Sequence, residues 1–245
     1  MKVVFLGATK GMGRALARLM AERGHELFLL GRDLADLEKS ARDLDVRGGR
    51  APVGAAPCDL ERPEHFAAAL DAADAALGGF DAVVVTAGLF ATQDRMEADV
   101  DLARRLLAID FTNTVLFCEQ ARRRLLSRGG GTLCVFSSVA GERGRKPVVL
   151  YGAAKAGLTR YLEGLDHRFR SRGLKTVCVK PGFIKTSMTE GLPVPPFAGE
   201  PDAVAPAVLR AIERGRPVVY VPAIWRWVML VVRALPRAVM RRVGF

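Results

Sequence analysis

Short, continuously apolar runs alternate along this chain with longer stretches in which apolar residues recur every three or four positions. The short runs fall at 2–6, 26–30, 51–56, 81–86, 132–136, 175–179 and 218–221 and, rich in Val, Leu and Phe, read as strands. Helical periodicity occupies stretches near 12–23, 34–46, 63–77, 99–127, 151–171 and 202–214. Strands apolar toward both sides and separated by helices predict an α/β fold, a parallel sheet covered on both faces. Such sheets bind ligands at the carboxyl ends of their strands, where the chemically distinctive residues of this chain fall.

After the last strand the pattern changes. Residues 223–245 carry Trp225 and Trp227, an apolar run from Val228 to Val232, and Arg226, Arg233, Arg237 and Arg241 at spacings of seven, four and four. This predicts a basic amphipathic helical extension, divided at Pro236, attached to a single domain formed by 1–222. The apolar run is too short to cross a bilayer.

A chain of 245 residues, 50% of them hydrophobic, can bury one full core, so a second large domain is not required. Cys58, Cys118, Cys134 and Cys178 lie far apart in apolar surroundings, which suits small buried hydrophobes in a reducing compartment rather than disulfides. With three scattered histidines no metal site is expected. The opening Met1-Lys2-Val3-Val4-Phe5-Leu6 reads as a first strand, not a leader, because its apolar run stops at Gly7; a cytoplasmic protein is expected. The net charge of +11, with arginines concentrated at 122–128, 143–146 and 226–242, suits a nucleic acid, a membrane surface or an anionic ligand. These clusters do not form a repeated aromatic-basic pattern and no nucleic-acid motif is present, so nucleic acid is set aside.

The first strand runs into Gly7-Ala8-Thr9-Lys10-Gly11-Met12-Gly13 and then a helix. Glycines at such a turn let the backbone approach a pyrophosphate, and the helix N-terminus adds free N–H groups and a positive dipole end. Glycine also serves plain turns and close packing; the strand–turn–helix context favours a dinucleotide. The second strand ends in Gly31-Arg32-Asp33, where an acidic tip would accept a bond from a ribose 2′-hydroxyl. Here Arg32 stands first and Lys10 lies in the glycine turn. Two cations suit a 2′-phosphate, so NADP(H) is expected over NAD(H). Arg32 also reads as a surface charge, and Asp33 as the N-cap of the next helix. Asp59, followed by Leu60, is placed either to reach an adenine amino group or to cap a turn.

Tyr151 and Lys155 lie one helical turn apart on the same face. A phenol with its usual pKa of about 10 is a poor acid–base group near neutrality, and a neighbouring ammonium would lower it. The preceding strand ends in Ser137-Ser138, which places Ser138 to bond the carbonyl oxygen that Tyr151 would protonate. The following strand ends in Pro181-Gly182, with Thr186 positioned to fold over a nicotinamide.

Taken in order, Gly7, Gly11, Gly13, Asp59, Ala87-Gly88, Ser138, Tyr151, Lys155, Pro181-Gly182 and Thr186 make the chain resemble the short-chain dehydrogenase/reductase family over nearly its whole length. The resemblance implies a doubly wound, Rossmann-type parallel sheet of seven strands with helices on both faces. It implies that Tyr151 is the general acid in reduction, that Lys155 holds the nicotinamide ribose and tunes Tyr151, and that Ser138 orients the carbonyl. The cofactor would lie along Gly7, Thr9, Lys10, Gly11, Met12 and Gly13 and reach Arg32, Asp59 and Leu60 with its adenosine. Its nicotinamide end would meet Ala87, Gly88, Tyr151, Lys155, Pro181, Gly182, Ile184 and Thr186. Homodimers or homotetramers formed through the helices at 99–127 and 151–171 are implied as well.

Three positions depart from the family. Leu6 precedes the first glycine in place of Thr, and Val85-Thr86-Ala87-Gly88 replaces Asn-Asn-Ala-Gly. Asp110 takes the place of the fourth catalytic residue, an Asn whose main-chain carbonyl holds a relay water. Asp keeps that carbonyl but brings a carboxylate able to pair with Lys155; Asn113 lies one helical turn late.

The loop carrying Arg143, Arg145 and Lys146 borders the expected substrate pocket, where its cations would hold a phosphate or simply be solvated. Within the family, that loop and the tail are most similar to a reductase of a 2-keto sugar carried on a polyprenyl phosphate. The leading expectation is an NADPH-dependent carbonyl reductase of a lipid-linked or amphipathic ketone, its tail in the interface at the inner face of the cell membrane. The tail equally suits packing on a partner subunit or over the cleft, which goes with a soluble or long-chain keto substrate. A third reading, a non-catalytic NADP-binding regulatory protein, rests on Asp110 alone.

Overall fold

The computed structural model describes residues 1–48 and 52–244. Its strands are β1 (Lys2–Leu6), β2 (Glu26–Gly31), β3 (Gly54–Pro57), β4 (Ala82–Val85), β5 (Gly131–Phe136), β6 (Leu174–Pro181) and β7 (Val218–Val221). They form one seven-stranded sheet in the order β3-β2-β1-β4-β5-β6-β7, every neighbouring pair parallel. The chain winds outward from β1 to β3, returns to place β4 beside β1, and then winds the other way. The crevice at the carboxyl ends of β1 and β4 is therefore the switch point at which such sheets bind ligands.

The helices are α1 (Gly11–Glu22), α2 (Leu34–Gly48), α3 (Phe66–Leu77), α4 (Gln93–Ala98), α5 (Val100–Leu107), α6 (Asn113–Ser127), α7 (Val149–Phe169), α8 (Pro201–Arg214), α9 (Trp225–Ala234) and α10 (Arg237–Arg242). Successive strand side chains point to opposite faces, which divides the core in two. Val3 and Phe5 pack with α1, α2 and α8 on one side, whereas Val4 and Leu6 pack with α3, α6 and α7 on the other. Full burial of an aliphatic or aromatic side chain contributes about 1.5–3 kcal/mol, and both faces of β1 are wholly buried. That double demand is why the strand reads as an unbroken apolar run.

The structure departs from the sequence pattern in two places. Pairing of β3 with β2 begins at Gly54 opposite Phe28, because the Val53 amide is taken by Asp45 Oδ1 of α2 at 2.7 Å. Ala51, the start of the expected strand 51–56, lies outside the described residues. The helix expected over 99–127 is two helices, α5 and α6, joined by a π-helical turn at Ala108–Thr112 and preceded by the separate α4. Asp99 starts α5 by accepting from the Leu102 amide at 3.0 Å. A π turn absorbs one extra residue, a shift hidden among the ordinary three- and four-residue apolar spacings, so periodicity does not reveal it, and such turns often sit at functional sites. Here it carries Asp110, which is 1% exposed.

Candidate active site

A cleft of about 1280 Å³ runs across the carboxyl ends of the strands. At one end β1 turns sharply into α1. Gly7 takes a φ of 100°, a conformation that favours glycine. A Cβ on Gly13 would lie 2.1 Å from the Gly7 carbonyl oxygen, so the helix can approach the turn only without a side chain there. Thr86 Oγ1 donates to the Gly7 carbonyl at 2.8 Å and pins the turn to the end of β4. This gives the residue that departs from Asn-Asn-Ala-Gly a definite task.

Thr9, Lys10, Gly11 and Met12 line the cleft beside Gly7 and Gly13, as do Arg32, Asp59 and Leu60 at the ends of β2 and β3. Asp33 faces its own helix, accepting from the Asp36 amide at 3.0 Å as an N-cap. Lys10 Nζ stands 3.7 Å from Asp36 Oδ2, but both groups are exposed and such a pair is weak, leaving the lysine available to an anion. Asp59 Oδ1 accepts from the Glu61 amide at 3.0 Å, so it caps a turn while lining the cleft.

Farther along, α7 is bound closely to the end of β5. Ser137 Oγ donates to the Lys155 carbonyl at 2.9 Å and pairs with Thr159 Oγ1 at 2.7 Å. The turn after Ser138 rests directly on the helix, where a Cβ on Gly141 would meet the Ala156 amide nitrogen at 2.6 Å. Ser138, Tyr151, Lys155 and Asp110 are thereby brought together in the cleft with Ala87, Gly88, Pro181, Gly182, Ile184 and Thr186. Ser138 Oγ accepts from the Ala140 amide at 3.1 Å, which leaves its own hydrogen free to donate. The Phe90 and Tyr151 rings meet nearly perpendicular, with centroids 5.1 Å apart.

The electrostatics differ from the sequence expectation. Lys155 Nζ lies 5.7 Å from the Tyr151 ring centroid, donates to the Phe136 carbonyl at 3.3 Å, and faces Asp110 Oδ2 at 3.8 Å. Burial pushes the Tyr151 phenol well above its ordinary value, the Asp110 carboxylate adds to this, and Ser138 pulls the other way. Burial dominates at the phenol, and the Lys155 ammonium faces Asp110 as well as the Tyr151 ring. Burial also raises the Asp110 carboxyl, against the pull of Lys155 and of the Leu89 amide, which donates to Oδ1 at 2.7 Å. Asn113 is turned away, donating to the Leu60 carbonyl at 2.6 Å.

Residues 1–194 match the short chain dehydrogenase family. This protein belongs to that family. The dehydrogenase is 36% identical to an uncharacterized oxidoreductase of Streptomyces coelicolor over 98% of this chain and 94% of that protein. It is 31% identical to carbonyl reductase family member 4 of Danio rerio, over 86% of this chain and 90% of the other. Among solved structures, actinorhodin polyketide ketoreductase with NADPH is similar in fold, with a TM-score of 0.80 at 21% identity over 89% of this chain and 94% of that one. The chain is thus an oxidoreductase of a family that binds NAD(P). Its glycine turn and the side-chain-free floor at Gly88, where a Cβ would come 3.0 Å from Asp110 Oδ1, fit that group.

The tail of this dehydrogenase closes the other end of the cleft. Met229 and Val232 of α9 are buried against Val139, and with Trp225 and Val228 they line the cavity. A Cβ on Gly182 would lie 2.1 Å from Trp225 Nε1, which itself donates to the Phe197 carbonyl at 3.2 Å. Glu142, in the turn after β5, pairs with Lys180 and, at 3.3 Å, with Arg233 of α9. Arg143 Nη2 donates to the Leu235 carbonyl at 2.7 Å. Of the placements open to the tail, covering the cleft is realised by one face of α9. Pro236 divides α9 from α10 as expected, and among the described residues no helix is long and apolar enough to cross a membrane. Sequence reading missed Thr86, Phe90 and Trp225 as parts of the site. Amphipathic spacing announces a helix, but nothing in it names the neighbour its apolar face will meet.

Proposed function

We propose that this dehydrogenase is an NADPH-dependent carbonyl reductase in which Tyr151 gives the proton, Ser138 holds the carbonyl oxygen, and Lys155 and Asp110 set the charge behind them. The observation that carries this reading is the convergence of Ser138, Tyr151 and Lys155 in one cleft with the glycine turn. When bound, the reduced cofactor supplies the hydride that the carbonyl carbon takes up. The Tyr151 hydroxyl delivers its proton to the carbonyl oxygen, and the free Ser138 hydrogen bonds the same atom. With its pKa raised by burial, the Tyr151 hydroxyl is protonated at neutral pH, the form in which it can donate to the carbonyl oxygen. Gly7, Gly11 and Gly13 open the backbone to the pyrophosphate, and Arg32 with Lys10 favours the 2′-phosphate of NADPH.

The apolar wall of α9 favours an amphipathic ketone. Similarity of the 141–146 loop and the tail to the reductase subunit of decaprenylphosphoryl-ribose 2′-epimerase supports a lipid-linked keto sugar. The outer face of α9 leaves Trp227, Leu230 and Val231 exposed, with Arg226, Arg237 and Arg241 nearby in sequence, as suits peripheral contact with an anionic membrane at the cytoplasmic side. Leu107, Phe111 and Leu116 are exposed on the α5–α6 side, the surface on which homodimers or homotetramers would form.

The test is turnover across a panel of keto sugars and keto lipids with NADPH and with NADH. Reduction with NADPH at least about tenfold faster than with NADH is expected, a difference of about 1.4 kcal/mol; no reduction of any ketone would overturn the reading. Leu230→Glu with Val231→Glu should abolish flotation of the full chain with anionic vesicles, and unchanged flotation would reject the membrane contact.

A further inference from the structure

The loop between Ser138 and α7 carries Arg143, Arg145 and Lys146, and the fold sends them to different places. Arg143 is bound to the end of α9 through the Leu235 carbonyl. Lys146 is exposed. Arg145 lines the cleft, and its Nε is buried with no hydrogen-bond partner among the described residues. The neighbouring carboxylate, Glu142, is already taken up by Lys180 and Arg233. Burial alone acts on the Arg145 guanidinium, pushing its pKa down, with no acid opposing the shift.

Arg145 is half-buried with its Nε shut off from any partner; such an uncompensated group is destabilising, and folds tend to retain one where a ligand completes it. The cofactor's 2′-phosphate is poorly placed to do so. Arg145 follows β5, which is separated from β2 by β1 and β4. At a strand spacing of about 4.8 Å, the tip of β2, where Arg32 stands, is roughly 14 Å away across the sheet. Around Arg145 the cleft is lined by Pro147 and Val148, by Met229 and Val232 of α9, and by Gln93 and Asp94 of α4.

We infer that Arg145 binds an anionic group, a carboxylate or a phosphate, carried by the ketone substrate, whose apolar body lies against α9. The inference rests on the reductase reading for the word ketone, but not for the anion site itself. Matched probes test it: a long-chain oxo acid, its methyl ester, and the corresponding oxo-alkyl phosphate. Wild type should reduce an anionic probe in preference to the ester, and the better of the two anions names the group. Arg145→Gln should lower kcat/KM for that anion about 10- to 100-fold, through KM, and leave the ester within about twofold. Arg145→Lys should recover part of the loss. Equal losses on anion and ester, or no loss on either, would overturn the inference.

Thermal unfolding of the NADPH-loaded protein supplies a readout that needs no turnover. The favoured anion should raise the Tm of wild type and not of Arg145→Gln. Without any anion, Arg145→Met should unfold at a higher temperature than wild type. A lower Tm would make Arg145 a packing residue and overturn the inference. Stabilisation through Arg145 with no ketone reduced would leave the anion site standing and remove the reductase reading. Reduction that ignores Arg145 would do the reverse.

Discussion

Gly13 and Gly182 both line the cleft, yet they press against different material. A Cβ on Gly13 would meet the backbone oxygen of Gly7 at 2.1 Å and Thr86 Oγ1 at 2.5 Å, whereas one on Gly182 would meet the indole of Trp225. At the cofactor end the wall is main chain, held by β1, β4 and the start of α1. At the substrate end it is made of side chains from α9 and from the loop after β5. A wall made of backbone cannot yield, so it fixes one ligand shape; a wall of side chains can be re-cut without disturbing the sheet. The two ends therefore differ in what they demand of the sequence and in how much a substitution costs.

The sharpest break of this comparison is Gly13→Ala, which should weaken NADPH binding by about 100-fold or more, or cost about 3 kcal/mol of stability, because neither neighbour can retreat. Titration of NADPH fluorescence and a denaturation curve measure the two. Arg32→Gln should weaken NADPH roughly tenfold and leave NADH nearly unchanged, as expected for the loss of one charge-assisted contact. Gly182→Ala should be milder. Trp225 swings aside, and neither the ketone KM nor the NADPH Kd rises more than roughly fivefold, about 1 kcal/mol. An effect as large as that of Gly13→Ala would show the two walls to be alike.

The smallest effect belongs to Asp110. Its carboxylate raises the Tyr151 phenol. Reduction needs the protonated phenol, so the rate falls as pH rises through that pKa. Asp110→Asn removes the negative charge, lowers the phenol, and should move the alkaline fall to lower pH by roughly one unit. A fall that stays in place would mean that Asp110 does not act on Tyr151.

The same contrast explains what was legible in the sequence. Val3, Val4, Phe5 and Leu6 announce a strand buried on both sides, and the glycine turn and the Tyr151–Lys155 spacing announce local geometry, because backbone rules act over a few residues. Pro236 divides the tail as its chemistry requires. The break in the helix expected over 99–127 was hidden, since the one-residue shift at the π turn carrying Asp110 is lost among three- and four-residue spacings. So was the partition of Arg143, Arg145 and Lys146, which depends on where Leu235 and Glu142 come to rest. The raised Tyr151 phenol was hidden too: burial outweighs a cation that the i, i+4 spacing places nearby. Contacts between segments far apart in the chain decide the substrate end, and no local pattern encodes them.

Proton donation by Tyr151 to a ketone is tested most directly by reducing an accepted ketone with NADPH deuterated at the transferable position, using wild type and Tyr151→Phe side by side. Wild type should place deuterium on the carbinol carbon of the product. In Tyr151→Phe, kcat/KM should fall by about 10²- to 10⁴-fold with NADPH affinity within about twofold of wild type. Undiminished transfer in Tyr151→Phe would contradict the assignment.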